Sequence, residues 1–166
     1  MRFSVAVTLL FSFFFISCSS NKTISSAMNK YGHQDGVVSV SVPGWVLDLG
    51  GRIGDLAPDE RQILKSIDKV KVLTIEDPEL NRNVNFYDEF YRKVISKDGF
   101  EDLAMVIEDN DKIGILGRFK GDTVKELIIL VGGDENTIVY LKGNITPEMI
   151  NEIVSKDKDL AKSIEL

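Results

Sequence analysis

The stretch VKELIILV, Val124–Val131, decides the fold of this chain. Its last five residues, LIILV, are apolar at every position. A strand with only one covered face would carry a polar residue at every second place. The stretch therefore predicts a central strand with both faces largely buried, with helices over one side of the sheet and loop or terminal segments over part of the other.

Strands and turns follow one another on both sides of this stretch. Short turn-forming segments join antiparallel neighbours, so this half of the chain predicts a four-strand antiparallel meander. The other three strands are expected at Leu103–Glu108, Ile113–Phe119 and Thr137–Leu141, and the turns at Asp109–Asp111, Lys120–Asp122 and Gly132–Asn136.

The N-terminal half alternates helices with two more strands. We therefore predict one α+β domain with a single mixed sheet of about six strands, helices mainly on one face and right-handed early crossovers. The expected strands are Val38–Val42 and Lys69–Ile75; the helices span residues 24–31, 58–67 and 77–96, with another from Thr146 onward; and a helical turn at Trp45–Leu49 precedes a loop at Gly50–Gly54.

The first 17 residues resemble an export signal. Arg2 is followed by the apolar run Phe3–Ile16, whose 14 residues suit a signal core of about 7–15 residues and fall short of the roughly 20 that span a bilayer. Phe15-Ile16-Ser17-Cys18 resembles a lipobox, which implies thioether lipidation of Cys18, cleavage before it and acylation of the new amine. We expect a signal peptide at 1–17, a lipid-anchored tether at 18–23 and one domain at 24–166.

Composition narrows the chemistry that the domain can perform. The chain has a net charge of −6 and no cluster of basic residues, which argues against a nucleic-acid partner. Cys18 is the only cysteine and His33 the only histidine, so a cysteine-based zinc site and a histidine-rich metal site are not expected. We predict no catalytic motif, no metal and no cofactor, and we interpret His33 as a solvent-facing loop residue.

Three motif-like segments are better explained by structure than by function. Asp109–Asp111 begins like a calcium loop, but Ile113 and Lys120 stand where later oxygen ligands belong, so a turn is expected. Gly50–Gly54 lacks the Lys-Ser/Thr of a phosphate-binding loop. The aromatic residues Phe86, Tyr87, Phe90 and Tyr91 have helical spacing, which favours core packing over a ligand pocket.

Two residues outside the signal segment are candidate sites. Trp45 lies in a glycine-flanked segment, and we expect it to form a buried lid over the sheet; the alternative is an exposed contact surface. Asp122-Thr123-Val124 resembles a short O-glycosylation motif of exported Bacteroidota proteins, which makes Thr123 a candidate modification site at a turn.

The chain as a whole resembles the bacterial lipoprotein family known as domain of unknown function 4252, which is common in Bacteroidota. The resemblance implies an α+β domain in the cell envelope and no assigned activity. It rests on GVVSVSVPGWVLDL (Gly36–Leu49), IDKVKVLTIED (Ile67–Asp77), FEDLAMVIEDNDKIGILGRF (Phe100–Phe119) and KELIILVGGDENTIVYLKGNIT (Lys125–Thr146).

These observations favour a lipid-anchored envelope protein, facing the periplasm from the outer membrane, with a non-enzymatic interaction domain and an envelope protein as partner. One alternative is a carrier that holds a small apolar ligand between sheet and helix. The other is a hydrolase built on carboxylates alone, for which Glu76, Asp77, Glu79, Asp88 and Glu89 are the candidates.

We expect Cys18 to carry acyl chains, because only its thiol can form the thioether that the lipobox implies. A precursor expressed with a labelled fatty acid should incorporate the label, and the Cys18→Ala variant should lose it. Equal labelling of the two proteins would contradict lipidation at this residue.

Overall fold

Helices and strands fill most of residues 21–54, 56–108, 110–147 and 149, the residues that the structure, a computed structural model, describes. The helices in this part of the chain are α1 (Lys22–Tyr31), α2 (Gly44–Ile53), α3 (Pro58–Ser66), α4 (Pro78–Asn83) and α5 (Phe86–Asp98). The strands are β1 (Val37–Pro43), β2 (Ile67–Ile75), β3 (Glu101–Glu108), β4 (Asp111–Lys120), β5 (Thr123–Gly132) and β6 (Thr137–Ile145).

The six strands form one sheet in the order β1-β2-β6-β5-β4-β3. This confirms the α+β class, the single sheet and the C-terminal meander, with β5 inside the sheet. The prediction of a mixed sheet with crossovers is wrong, because β1 and β2 pair antiparallel, with Val37 opposite Ile75. The reason is that α2 and α3 pack against each other and return the chain to the end of the sheet where β1 stopped.

One face of the sheet carries the main core. Helices α1 and α5 lie over it, and their apolar side chains meet those of the central strands. This confirms core packing for Phe86, Tyr87 and Phe90, while Tyr91 is half-buried and stacks on Tyr87 with ring centroids 4.6 Å apart. The fully covered members of this core include Ile24, Leu73, Phe86, Val94, Leu116, Ile128, Leu130 and Ile138.

The opposite face of the sheet is only partly covered. A smaller apolar cluster there contains Ile115, Val124, Leu127 and Ile145, with Ile129 and Met149 packed against it. The prediction of two buried faces on the central strand holds for Ile128, at 0% exposure, and for Leu127, at 5%. Ile129 is only half-buried, because cover on its side is incomplete.

The helix that was predicted to run unbroken from 77 to 96 is divided into α4 and α5, each with its own capping residue. Asp77 caps α4 by accepting from the Leu80 amide at 2.7 Å, and Asn85 caps α5 by accepting from the Asp88 amide at 2.9 Å. Between them, the side chain of Asn136 accepts from the Phe86 amide at 2.7 Å and donates to the Val84 carbonyl at 2.9 Å. Asn136 is 1% exposed, so it ties this helix break to the β5–β6 turn.

Two further boundaries differ from expectation. The tether was predicted to reach Thr23, but α1 begins at Lys22 because Asn21 caps it, accepting from the Ile24 amide at 3.0 Å, and Thr23 is buried. The loop predicted at Gly50–Gly54 is wrong, since α2 continues to Ile53. The predicted signal segment, and the part of the predicted C-terminal helix beyond residue 149, lie outside the described residues.

Removing side-chain atoms from β5 should show that one face of this central strand is more fully covered than the other. Ile128→Ala should lower the free energy of unfolding by about 2–5 kcal/mol, the usual cost of deleting a buried isoleucine side chain. Ile129→Ala should cost less, because part of that side chain is already in water. Urea denaturation of the two variants checks the order, and equal losses would mean that both faces are equally covered.

Asn136→Ala should be at least as harmful as a moderate core deletion, because it leaves buried backbone groups of α5 without partners. Each unsatisfied buried group costs about 1–3 kcal/mol. Asn83→Ala, which removes an exposed amide, is the matched control and should change stability by no more than about 0.5 kcal/mol. Thermal and urea denaturation measure both, and similar values for the two would contradict this role of Asn136.

Candidate functional site

An apolar surface projects from helix α2. Trp45, Val46, Leu49 and Ile53 fall within about 100° of the helix circumference, given roughly 100° per residue. Their exposed fractions are 71%, 36%, 49% and 79% respectively. We call these four residues the α2 surface.

The lid interpretation of Trp45 is therefore wrong, and the alternative of an exposed surface is the one that fits. The reason lies on the other side of the helix, where Gly51 packs against α3: a methyl group added there would lie 3.2 Å from Leu64. With that side turned inward, Trp45 points away from the domain.

A shallow depression of about 450 Å³ adjoins Trp45. Half of its lining residues are charged; they are the ion pair between Arg52 and Asp48, with a 2.6 Å separation, together with Lys65 and Asp68. It is an open hollow beside an apolar helix face, which suits contact with a surface better than enclosure of a small ligand.

A second apolar surface lies along β3, one of the two edge strands. Met105 and Ile107 are 56% and 67% exposed, and they project from the same side of the strand. Next to them, the Tyr87 hydroxyl contacts the Met105 sulfur at 2.9 Å. We call this strand, with Met105 and Ile107, the β3 edge.

The hydroxyl of Tyr91 anchors the aromatic pair beside this edge. It donates to the carboxylate of Asp102 at 2.5 Å, and this hydrogen bond, together with burial, raises the pKa of Tyr91 above its usual range. The stacked rings of Tyr87 and Tyr91 therefore form a fixed wall behind the exposed side chains of β3.

A partly buried ion pair that the sequence analysis missed joins Arg118 on β4 to Glu126 on β5. Glu126 is 4% exposed, and burial followed by the nearby Glu126 charge raises the pKa of Tyr140 above its usual range. Arg118 also donates to the Asp98 carbonyl at 3.3 Å, so the pair ties the end of α5 to the sheet. The tight turn between the strands was not a sufficient signal, because its register alone would set Arg118 opposite Lys125. The irregularity between Arg118 and Phe119 brings Arg118 opposite Glu126 instead.

Among the carboxylates considered for a hydrolase, Glu89 has a structural role. It accepts from the Tyr31 hydroxyl at 2.6 Å and from Lys30 at 2.8 Å, which links α1 to α5. Burial pushes the pKa of Glu89 upward, but the hydrogen bonds from Lys30 and Tyr31 outweigh it and leave the pKa below the ordinary value. The arrangement keeps Glu89 ionised as a bridge between two helices.

The remaining candidate residues lie apart from one another. His33 is exposed in the turn after α1, and Thr123 is half-buried as the first residue of β5. Asp111 accepts from the Asp134 amide at 2.6 Å and so ties two turns together, whereas Asp109 and Cys18 lie outside the described residues.

The part of the chain that the structure describes holds neither a metal-ligand cluster nor a helix suited to crossing a membrane. Within residues 21–54, 56–108, 110–147 and 149, no group of three His, Cys, Asp or Glu side chains is placed to hold a metal ion. None of the helices in that same part of the chain combines the length and apolar character that a membrane crossing requires.

Comparison with known proteins gives one match. The family model described as "Domain of unknown function (DUF4252)" matches residues 31–153, which include every strand of the sheet. No curated protein and no solved structure matches the chain.

Proposed function

This chain belongs to the family described as domain of unknown function DUF4252, and we propose that it is a lipoprotein of the bacterial cell envelope whose domain is a non-enzymatic interaction module. The lipobox-like sequence ending at Cys18 supports the anchor. The β3 edge supports the interaction, and it is the observation that carries the proposal.

An edge strand presents backbone N–H and C=O groups that an added strand can pair with. Natural proteins usually protect such edges with charges, proline or short length. The strand is irregular between Asp102 and Ala104, but from Ala104 to Ile107 it pairs regularly with β4 and carries neither a charge nor a proline. By contrast β1, the other edge, carries Ser39, Ser41 and Pro43. The two edges differ in the way expected if one of them receives a partner.

The partner that fits is an extended, partly apolar segment of another envelope protein. Backbone hydrogen bonds would supply affinity, and alternate side chains would supply specificity. Met105 offers a flexible apolar contact, and Ile107 a rigid one. The ion pair of Lys112 with Asp88, 3.1 Å long, lies on the same side and provides a charged rim.

The two other candidate functions receive less support from the described residues. A carrier holds a small ligand in a cavity that covers most of its surface. Three depressions lined by described residues are instead open, and each has at least three charged residues in its lining. A carboxylate-based hydrolase needs free carboxylates facing each other across a cleft. Among the candidates, Glu89 and Asp88 are instead each held in an ion pair, and Asp77 caps α4.

A cysteine placed at the β3 edge tests the proposal in the native envelope. Cys18 is the only native cysteine, so once it is lipidated Ile107→Cys supplies a single free thiol. We expect a thiol-reactive crosslinker at this position to give one defined protein adduct. Val40→Cys on the β1 edge, 44% exposed in the native chain, is the matched control and should not give it.

A charge on the same edge separates specific docking from random capture. Met105→Lys, added to the Ile107→Cys protein, should lower the adduct yield at least about ten-fold, the effect of roughly 1.4 kcal/mol, with no loss of thermal stability, since the side chain is exposed. If the only adducts join two copies of this chain, the partner is a second copy and the proposal of an envelope partner is wrong. If no adduct is lost when Met105→Lys is added, the β3 edge does not bind a protein and the proposed interaction is wrong.

A further inference from the structure

We infer that the α2 surface lies in the headgroup region of the membrane that holds the anchor, and that it seats the domain on the bilayer. The inference rests on the proposed lipidation of Cys18. It assigns the partner of the α2 surface as lipid, which leaves the β3 edge for protein.

The chain enters the domain at one end of the sheet, where several elements begin or end. The antiparallel register places the end of β1 at Pro43, the start of β2 at Ile67 and the start of β3 at Glu101 on the same end of the sheet. We call this the proximal end. Helix α1 also begins there, because the Thr23 amide donates to Asp98, the last residue of α5, at 3.1 Å.

Helix α2 also starts at the proximal end. It follows Pro43 directly, and Gly44 lies so close to the start of β2 that an added methyl group would be 2.4 Å from the Ile67 carbonyl oxygen. Trp45 is the next residue. Its side chain, 71% exposed, therefore projects into solvent at the proximal end of the domain.

The segment that joins the anchor to the domain is short. Two residues, Ser19 and Ser20, lie between Cys18 with its acyl chains and the start of the domain at Asn21. The three Cα–Cα steps from Cys18 to Asn21 span about 10 Å when fully extended. The headgroup region of one leaflet is roughly 5–8 Å thick. A lipid held in the leaflet thus keeps the proximal end against the membrane surface, where an exposed apolar helix face can be buried.

The residue types of the α2 surface suit a membrane interface. Tryptophan is enriched at membrane interfaces because its ring combines an apolar body with an N–H donor. Leu49 and Ile53 extend the apolar face, as in helices that lie in the interface plane. Arg52 is paired with Asp48, and the whole chain is acidic at −6, so the attraction arises from apolar burial and does not require anionic lipid.

The fluorescence of Trp45 provides a direct test, since it is the only tryptophan. The mature lipidated protein is reconstituted into phosphatidylcholine–phosphatidylethanolamine vesicles. We expect its emission to shift to shorter wavelength relative to the Ile53→Asp variant. We also expect lipids brominated near the headgroup end of the acyl chain to quench most of the emission, and high salt to leave the quenching unchanged.

A relocated tryptophan is the matched control. In the Trp45→Phe, Ile107→Trp protein the fluorophore stands near the end of β3, opposite Lys112 and away from the proximal end, and brominated lipid should not quench it. Mass spectrometry of the Cys18 peptide is read in parallel. Acylated Cys18 with an unquenched Trp45 overturns the inference and leaves the anchor standing, whereas an unmodified Cys18 overturns both.

Discussion

The architecture depends on burial of the central strand β5 from two sides. Ile128 and Leu130 project towards α1 and α5, and Leu127 projects towards the opposite cluster. Burying one such side chain fully is worth roughly 1.5–3 kcal/mol, so the strand contributes more apolar burial than any edge strand can. With β5 in the interior of the sheet, the short turns before and after it place β4 and β6 as its neighbours. The remaining strands pair outside these two.

Polar side chains then decide how the helices meet this sheet. Asn136 satisfies backbone groups at the start of α5, and the Arg118–Glu126 pair holds its end. Asn136 and Glu126 are both buried, so leaving either side chain without its partner would be costly. The helix is thereby fixed at its two termini by the turn and the strands of the same meander. Its aromatic face, with Phe86, Tyr87 and Phe90, packs into the main core.

Much of the fold was readable from the sequence because it follows from local patterns. Alternation and continuous apolar runs gave all six strands, and turn residues gave the meander. Three features could not be read this way. The direction of β2 depends on how α2 and α3 pack together, the exposure of Trp45 depends on Gly51 meeting Leu64, and the role of Asn136 depends on contacts 50 residues apart. Each of these features is set by tertiary contacts, which do not produce a periodic pattern in the sequence.

The two exposed apolar surfaces are explained more simply together than apart. A soluble domain gains nothing from keeping Trp45 and Ile53 in water at one end and Met105 and Ile107 in water along an edge. If the proximal end lies on a membrane, the first surface is covered and the domain is held in a fixed orientation. The β3 edge then stands clear of the lipid, accessible to a neighbouring protein in the envelope. Anchoring and docking become two consequences of a single orientation set by where α1 begins.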